Sequence, residues 1–420
     1  MKAFEKALNA IDDVLFFKSI PDESNHISDG IFRSLRRIDY AIKRCKHHKF
    51  TLDDNLQNIM RIGVYLAAID HDFPTELAVS TAVEKARKYG FKKQTGFVNA
   101  VLRKISNNWK ELSTPSNENF PAYLATLHSF PDYLVHRWIE RYGRKYTDRL
   151  MSASNKKPPR YFRINQLLLD TKEYYEELDE REIKYKVHPK FRNFFELLDD
   201  DIKTSEWEDL LTGRVTVQDP AFEAASICLA PEHGERILEI GCAPGGKLTR
   251  LFEMTGGHSE IIGIESDEAR LARTEENLQR LMIAGVKTIL ADARDYRPNE
   301  KFDRVLVDPP CSSLGVLRRH PEIKWLRDED DIKRLAEYQK RIAENAMELV
   351  KPGGILVWST CTTEPEENEG LVKHIVSFGK YELVPFFDER IRDIRDKPFI
   401  RPMPVGRDYD GGFCAVLRRI

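Results

Sequence analysis

The stretch from Arg236 to Phe252 constrains this chain most. A short apolar run, Arg236-Ile-Leu-Glu-Ile, leads into Gly241-Cys-Ala-Pro-Gly-Gly-Lys247, and Leu248, Leu251 and Phe252 then recur at helical spacing. A glycine-rich turn from strand to helix brings backbone amides at a helix N-terminus up to a ligand. Further short apolar runs follow at Ile261–Ile264, Thr288–Leu290, Arg304–Val307 and Ile355–Trp358. Amphipathic helices fall between them, such as Asp267–Leu281 and Ile332–Leu349. Strand–helix alternation with buried-type strands predicts a doubly wound α/β sheet.

The chain before it reads differently. The first 110 or so residues are predicted all-helical, because Leu52, Leu56, Ile59, Ile62, Leu66 and Ile69 recur at steps of three and four. Residues 112–121 are polar and proline-bearing and read as a linker. A helix is expected over Pro131–Tyr142, then a strand over Arg160–Asn165 and a small α+β insert over 170–205. The expected division is a helical domain at 1–125, linker helices and the small α+β subdomain at 126–210, and the α/β domain at 211–420, with Val215-Thr-Val-Gln as its first strand.

Composition excludes several classes. No apolar run approaches the ~18 residues of a membrane helix, and the N-terminal residues lack an apolar signal core. The six cysteines are scattered without a C-x-x-C pair, which disfavours a zinc ribbon or a thioredoxin motif. A cytoplasmic protein with free thiols, no metal and no membrane contact is expected, with a monomer as the working oligomeric state. The net charge of −2 gives no sign of a nucleic-acid partner, so any basic surface must be local.

Three readings of the glycine loop compete. Gly241, Gly246 and Lys247 satisfy G-x-x-x-x-G-K, but Leu248 stands where a phosphate loop needs a hydroxyl for magnesium. The dinucleotide pattern G-x-G-x-x-G is absent. The third reading is an S-adenosylmethionine site spanning Gly241, Cys242, Ala243, Pro244, Gly245, Gly246 and Lys247. It expects an acid at the end of the next strand to bind ribose hydroxyls, and Glu265 fills that place. Asp292, after the third strand, is expected on the adenine side. Either acid taken singly also reads as a helix N-cap.

Two cysteines follow core strands: Asp308-Pro-Pro-Cys311-Ser-Ser and Ser359-Thr-Cys361-Thr-Thr. Open α/β sheets build their sites there. Cys45, Cys228 and Cys414 read as inert buried residues. Carbon 5 of cytosine is a poor nucleophile. A thiolate adding to carbon 6 turns the ring into an enamine, so carbon 5 can then take a methyl group. Asp308 is placed to hydrogen-bond the ring's amidine edge.

These segments, with Arg319-His-Pro-Glu-Ile-Lys-Trp325 and Pro365-Glu-Glu-Asn368, closely resemble the RNA cytosine-5 methyltransferases of the NOL/NOP/Sun group. The resemblance implies a Rossmann-like domain using S-adenosylmethionine, with Cys361 as nucleophile, Cys311 assisting product release, and cofactor contacts at Gly241–Lys247, Glu265, Asp292 and Asp308. Gly-Cys-Ala replaces the family's usual Cys-Ala-Ala, Glu265 replaces a more frequent Asp, and Pro309 a frequent Ala. The N-terminal helices resemble the RNA-binding domain of the antitermination factor NusB, above all at Gly96-Phe-Val-Asn-Ala-Val-Leu-Arg103. That fusion points to the Sun type of bacterial 16S ribosomal RNA methyltransferase, with a small RRM-like RNA-binding insert. The alternatives are the same chemistry on transfer RNA, and a non-catalytic RNA-binding or antitermination factor.

Arg318, Arg319, His320 and Lys324, beside Trp325, are expected to contact RNA, since cations with an aromatic suit phosphates and bases. A solvated charged face with Trp325 in the core is the competing reading. Arg33, Arg36, Arg37, Lys43, Arg44 and Lys46 are weaker candidates for gripping phosphate.

Overall fold

The computed structural model describes residues 2–21, 25–46 and 51–420. They form two compact units, one of Met1–Lys156 with Leu317–Glu329 and one of Lys157–Val316 with Asp330–Ile420.

The first unit is helical. Its long helix His26–Cys45 starts at Asn25, whose side chain accepts from the Ile27 and Ser28 amides while the Ser28 hydroxyl accepts from the Asn25 amide. This reciprocal cap fixes the start. Ile27, Ile31, Leu35, Ile38 and Ile42 then fall on one face and are buried. They pack against Leu56, Ile59 and Ile62 of helix Asp54–Ala68 and against Val98, Leu102 and Ile105 of helix Thr95–Asn107. The expected linker at 112–121 does not separate domains. It is a bend between helices Trp109–Ser113 and Phe120–Leu127 inside this unit.

The second unit holds two sheets. Strands β1 (Tyr161–Ile164), β2 (Tyr185–Val187), β3 (Phe194–Leu197) and β4 (Val215–Val217) pair in the order β2-β3-β1-β4, all antiparallel. The sequence reading placed Val215–Val217 in the α/β domain. It instead closes the small sheet by pairing with β1, so that sheet extends past residue 210.

The large sheet contains β5 (Arg236–Ile240), β6 (Glu260–Glu265), β7 (Val286–Leu290), β8 (Phe302–Val307), β9 (Val350–Thr360), β10 (Tyr381–Leu383), β11 (Arg395–Asp396), β12 (Phe399–Ile400) and β13 (Phe413–Arg419). Its order is β11-β12-β13-β9-β8-β5-β6-β7, with β10 on β13. The strands from β9 to β7 are parallel, and β13 is antiparallel to β9. Leu238, Val305 and Leu356 pack on one face, Ile237, Leu306 and Val357 on the other. Two covered faces explain the unbroken apolar runs. Because β6 and β8 flank β5, strand order reverses there, and Ile240 aligns with both Ile264 and Val307. Three loops therefore leave the carboxyl edge side by side, where such sheets bind ligands.

Candidate active site

Gly241 follows β5 with φ +77°, and a Cβ there would lie 2.0 Å from the Asp308 carbonyl oxygen. Only glycine lets the two loops pass. The Gly241 and Cys242 amides donate to the Ile264 carbonyl at 2.9 and 3.2 Å, pinning the loop to β6. Gly245, at φ +97°, turns the chain into helix Gly246–Met254. Arg270 and Asn277 donate to the Ala243 and Pro244 carbonyls at 3.3 and 2.8 Å. Cys242 faces the strand beneath, and burial pushes its thiol pKa up. It serves as packing, with its backbone shaping the turn.

A narrow cleft opens beside this loop, lined by Gly241, Glu265, Ala291, Ala293, Pro309 and Tyr338 among others. Glu265 is buried. Its Oε1 accepts from the Ser266 and Asp267 amides at 2.9 and 3.2 Å. Its Oε2 makes no hydrogen bond, with Arg270 at 3.4 Å. A buried carboxylate oxygen without a donor, facing a glycine cradle, suits a ligand hydroxyl. Asp292, expected on the adenine side, is paired within its own loop. Its carboxylate is held by Arg294, two residues on, at 2.5–3.1 Å, which keeps its pKa low. Ala291 and Ala293 line the cleft in its stead.

Beyond the cleft the two cysteine loops converge. Cys311 Sγ and Cys361 Sγ are 3.2 Å apart. Ser313 Oγ lies 3.3 Å from Cys361 Sγ and 3.9 Å from Cys311 Sγ. The hydrogen bond between the thiols separates their titrations, lowering Cys361 and raising Cys311 well above the ordinary thiol value. Burial and the Asp308 carboxylate oppose the lowering at Cys361, while Ser313 and the Lys247 ammonium reinforce it. Lys247 Nζ donates to Asp308 Oδ2 at 2.5 Å. Burial works against the ammonium, but Asp308 and Glu239 overcome it and hold the Lys247 pKa above its usual value.

Sequence reasoning passed over three groups here. Glu239 is the one acid in an apolar strand, fully buried, and burial drives its pKa well up. Ser313 touches both thiols. Glu367, within the quoted Pro365–Asn368 segment, bonds to Ser312 across the loops. An acid in an apolar run was a readable signal for Glu239; the other two required the fold.

The basic run does not form the expected RNA grip. Arg318 and Lys324 are buried inside the helical unit. Arg318 donates to the Ala153 carbonyl at 3.4 Å and its own carbonyl accepts from Arg33 at 2.6 Å. Lys324 donates to Asn155 Oδ1 at 3.0 Å and sits 4.3 Å from the Phe130 ring centre. Trp325 Nε1 donates to the Phe32 carbonyl at 2.8 Å. Arg319 is half-buried and His320 exposed. Arg36, Arg37 and Arg44 likewise donate to the carbonyls of Phe130, Ser113 and Glu111. These cations staple helices together, whereas Lys43 is exposed and Lys46 half-buried.

Among the described residues no helix is long and apolar enough to cross a membrane, and no group of three or more His, Cys, Asp or Glu side chains could hold a metal.

Fold and cleft define the class: a Rossmann-like methyltransferase domain, preceded by a ferredoxin-like insert and a helical domain. Family models match in the same order, the NusB family at residues 5–107, an RsmF/B-like ferredoxin-like domain at 130–198 and the 16S rRNA methyltransferase RsmB/F at 226–418. The chain is 32% identical over 365 residues to the ribosomal RNA small subunit methyltransferase B of Yersinia pseudotuberculosis, covering 83% of each chain. It belongs to the RsmB/F family of 16S rRNA methyltransferases. The crystal structure of PH0851 is similar over 99% of this chain and 98% of that one, with a TM-score of 0.80 and 25% identity. A methyltransferase homolog protein from Pyrococcus horikoshii is similar over 72% of this chain and all of its own, with a TM-score of 0.63 and 27% identity.

Proposed function

We propose that this chain methylates carbon 5 of a cytosine in 16S ribosomal RNA, using S-adenosylmethionine and a covalent adduct between Cys361 and carbon 6. The observation that carries the reading is the pair of sulfurs 3.2 Å apart beside the Lys247–Asp308 ion pair, at the sheet edge that also holds the glycine cradle. Two thiols of unequal basicity suit two unequal tasks. Cys361, the lowered one, supplies the thiolate that attacks carbon 6. Cys311, the raised one, keeps its proton while it donates to the Cys361 sulfur. Once Cys361 is bonded to carbon 6 that hydrogen bond is gone. Cys311, after passing its own proton to solvent, then takes the carbon 5 proton as the Cys361–carbon 6 bond breaks and Cys361 leaves as thiolate. Asp308, oriented by Lys247, faces the amidine edge of the ring.

When bound, S-adenosylmethionine supplies the electrophilic methyl group. The loop Gly241–Lys247 and Glu265 Oε2 hold it, with Ala291, Ala293 and Tyr338 walling the apolar side of the cleft. Asp292, tied to Arg294, contributes to the shape of the loop. The target base must be unpaired or flipped to reach Cys361. Of the basic run, exposed His320 and half-buried Arg319 are the members that keep surface for an RNA partner. The small-subunit name of the Yersinia relative and the NusB-like helices favour 16S RNA as substrate.

The test incubates the protein with methyl-labelled S-adenosylmethionine and separate pools of unmodified 16S, 23S and transfer RNA. The expected result is label in 16S RNA, recovered as 5-methylcytosine after digestion. Label in transfer RNA overturns the substrate. Label on another atom of the base, or no label in any pool, overturns the reaction.

A further inference from the structure

We propose that Glu367 is a positioning residue for this two-thiol site, clamping the Cys311 loop to the Cys361 loop so that the sulfurs meet. The reaction it serves rests on the function proposed above; the clamp is a matter of geometry and is tested separately. Each cysteine is followed by a hydroxyl residue, Ser312 after Cys311 and Thr362 after Cys361. The two hydroxyls meet at 2.6 Å. Glu367 lies with them, fully buried. It accepts from the Ser312 amide at 2.8 Å, from the Ser312 hydroxyl, and from Gln339 Nε2 at 2.8 Å. Gln339, on helix Glu329–Leu349, donates also to the Pro310 carbonyl at 2.9 Å. Cys311 is thus bracketed, held through Pro310 on one side and Ser312 on the other.

The Cys361 side is fixed by the neighbouring residue. Asn368 accepts from the Thr360 hydroxyl at 2.6 Å and donates to the Thr362 carbonyl at 3.0 Å. Trp358 Nε1 donates to the Glu367 carbonyl at 3.0 Å, anchoring the clamp's own backbone to β9. A buried acid is a poor choice for stability alone, since an apolar side chain of similar volume would cost less to bury. What it supplies is reach: three donors from two elements drawn to one point. The chemistry needs that reach. The thiol–thiol bond that favours the Cys361 thiolate exists only while the sulfurs touch, and a displacement of about 1 Å costs on the order of 10²-fold in a positioned reaction.

The test uses the full chain and diamide, which takes two hydrogens from two thiols and leaves a disulfide. Formation of the Cys311–Cys361 link is followed by peptide mass mapping. Glu367→Ala should form it at least about tenfold more slowly than the natural protein. Glu367→Gln should stay within about threefold, because its carbonyl can take the amide donors and its NH₂ can donate to the Ser312 hydroxyl. Glu367→Met, which keeps the volume but accepts no hydrogen bond, should be slowed as alanine is; a mere filler role would leave the methionine variant near the natural rate. Gln339→Ala, which keeps the carboxylate, provides a milder lesion should the alanine variant not fold, with an expected slowing of about threefold. In methyl transfer, Glu367→Ala should lower kcat at least about tenfold with the cofactor KM within about twofold. Linking at the natural rate in Glu367→Ala, or in Gln339→Ala if only that one folds, overturns the clamp. Slowed linking in a variant of a protein that labels no RNA would leave the clamp standing and remove the proposed reaction.

Discussion

The second unit contains two pairs of neighbouring thiols, and their comparison shows what makes one a site. Cys228 and Cys414 influence each other's titration as Cys311 and Cys361 do. In each pair the neighbouring thiol raises one member well above its ordinary value and lowers the other. Each lowered thiol also has a serine partner, Ser359 at 3.5 Å from Cys414 and Ser313 at 3.3 Å from Cys361. Local electrostatics alone would rank the pairs equal. Their positions differ. Cys228, on helix Glu223–Leu229, and Cys414, in the middle of the sheet on β13, are packed among apolar side chains. Cys311 and Cys361 sit past the ends of β8 and β9, with Lys247 and Asp308 beside them. A shifted thiol becomes a functional candidate when a loop presents it at a cleft; inside a sheet the same shift is a property of packing.

Exchanging each cysteine for alanine breaks this comparison most sharply. Cys361→Ala should lose at least about 10³-fold in methyl transfer while still binding cofactor. Cys311→Ala should accumulate a covalent protein–RNA species, seen as a slow band on a denaturing gel, because the adduct forms but is not released. Cys414→Ala and Cys228→Ala should transfer methyl within about twofold of the natural rate and lose about 1 kcal/mol of stability in denaturant titration, the cost of a small core cavity. Loss of activity in either core variant to the level of Cys361→Ala would erase the distinction.

Alkylation sharpens it next. The thiolate is the reactive form, and the Cys361 pKa lies below the ordinary thiol value of 9.0. The iodoacetamide rate at Cys361 should therefore rise with pH and reach half its plateau below pH 9. Cys311→Ala removes the leading cause of the lowering and should move that midpoint upward. Cys414 should stay unlabelled in the folded protein at every pH, since reagent cannot reach it.

The same contrast explains how much was legible from residues alone. The glycine loop could be read because its chemistry is local: a positive φ at Gly241 and a strand-to-helix turn are short-range demands. Cys311, Cys361 and Glu265 could be read because each directly follows an apolar run, and the ends of parallel strands converge. For Asp292 the residues gave no sign that Arg294, only two positions on, pairs with its carboxylate. Val215–Val217 was assigned to the wrong sheet because three residues carry no periodic signal that names a partner. Arg318 and Lys324 were misread for a deeper reason. They follow the Cys311 loop directly, yet Leu317–Glu329 belongs to the helical unit, and nothing within thirteen residues announces that the chain has changed units. Charge suggested solvent; tertiary packing overruled it.

Lys324 gives the smallest effect and a discriminating one. If its ammonium met RNA phosphate, Lys324→Met would weaken RNA binding and flatten the salt dependence by close to one phosphate's worth, a slope change of about 0.7–0.9. Buried against Phe130 and bonded to Asn155, it should do neither, and affinity and slope should match the natural protein. Stability should move instead. Burial lowers the Lys324 pKa well below its ordinary value, with Arg33 adding to the effect. Between the folded and unfolded pKa values the unfolded chain binds more protons, so stability climbs as pH rises toward the ordinary lysine range. Methionine removes the proton site and with it that climb. Lys324→Met should equal or exceed the natural protein by up to about 2 kcal/mol, as buried charges replaced by apolar groups do. Its advantage should be largest at low pH and fade as pH rises, read from denaturant midpoints across the pH range. A variant with unchanged stability and a flattened salt slope would return Lys324 to the RNA surface.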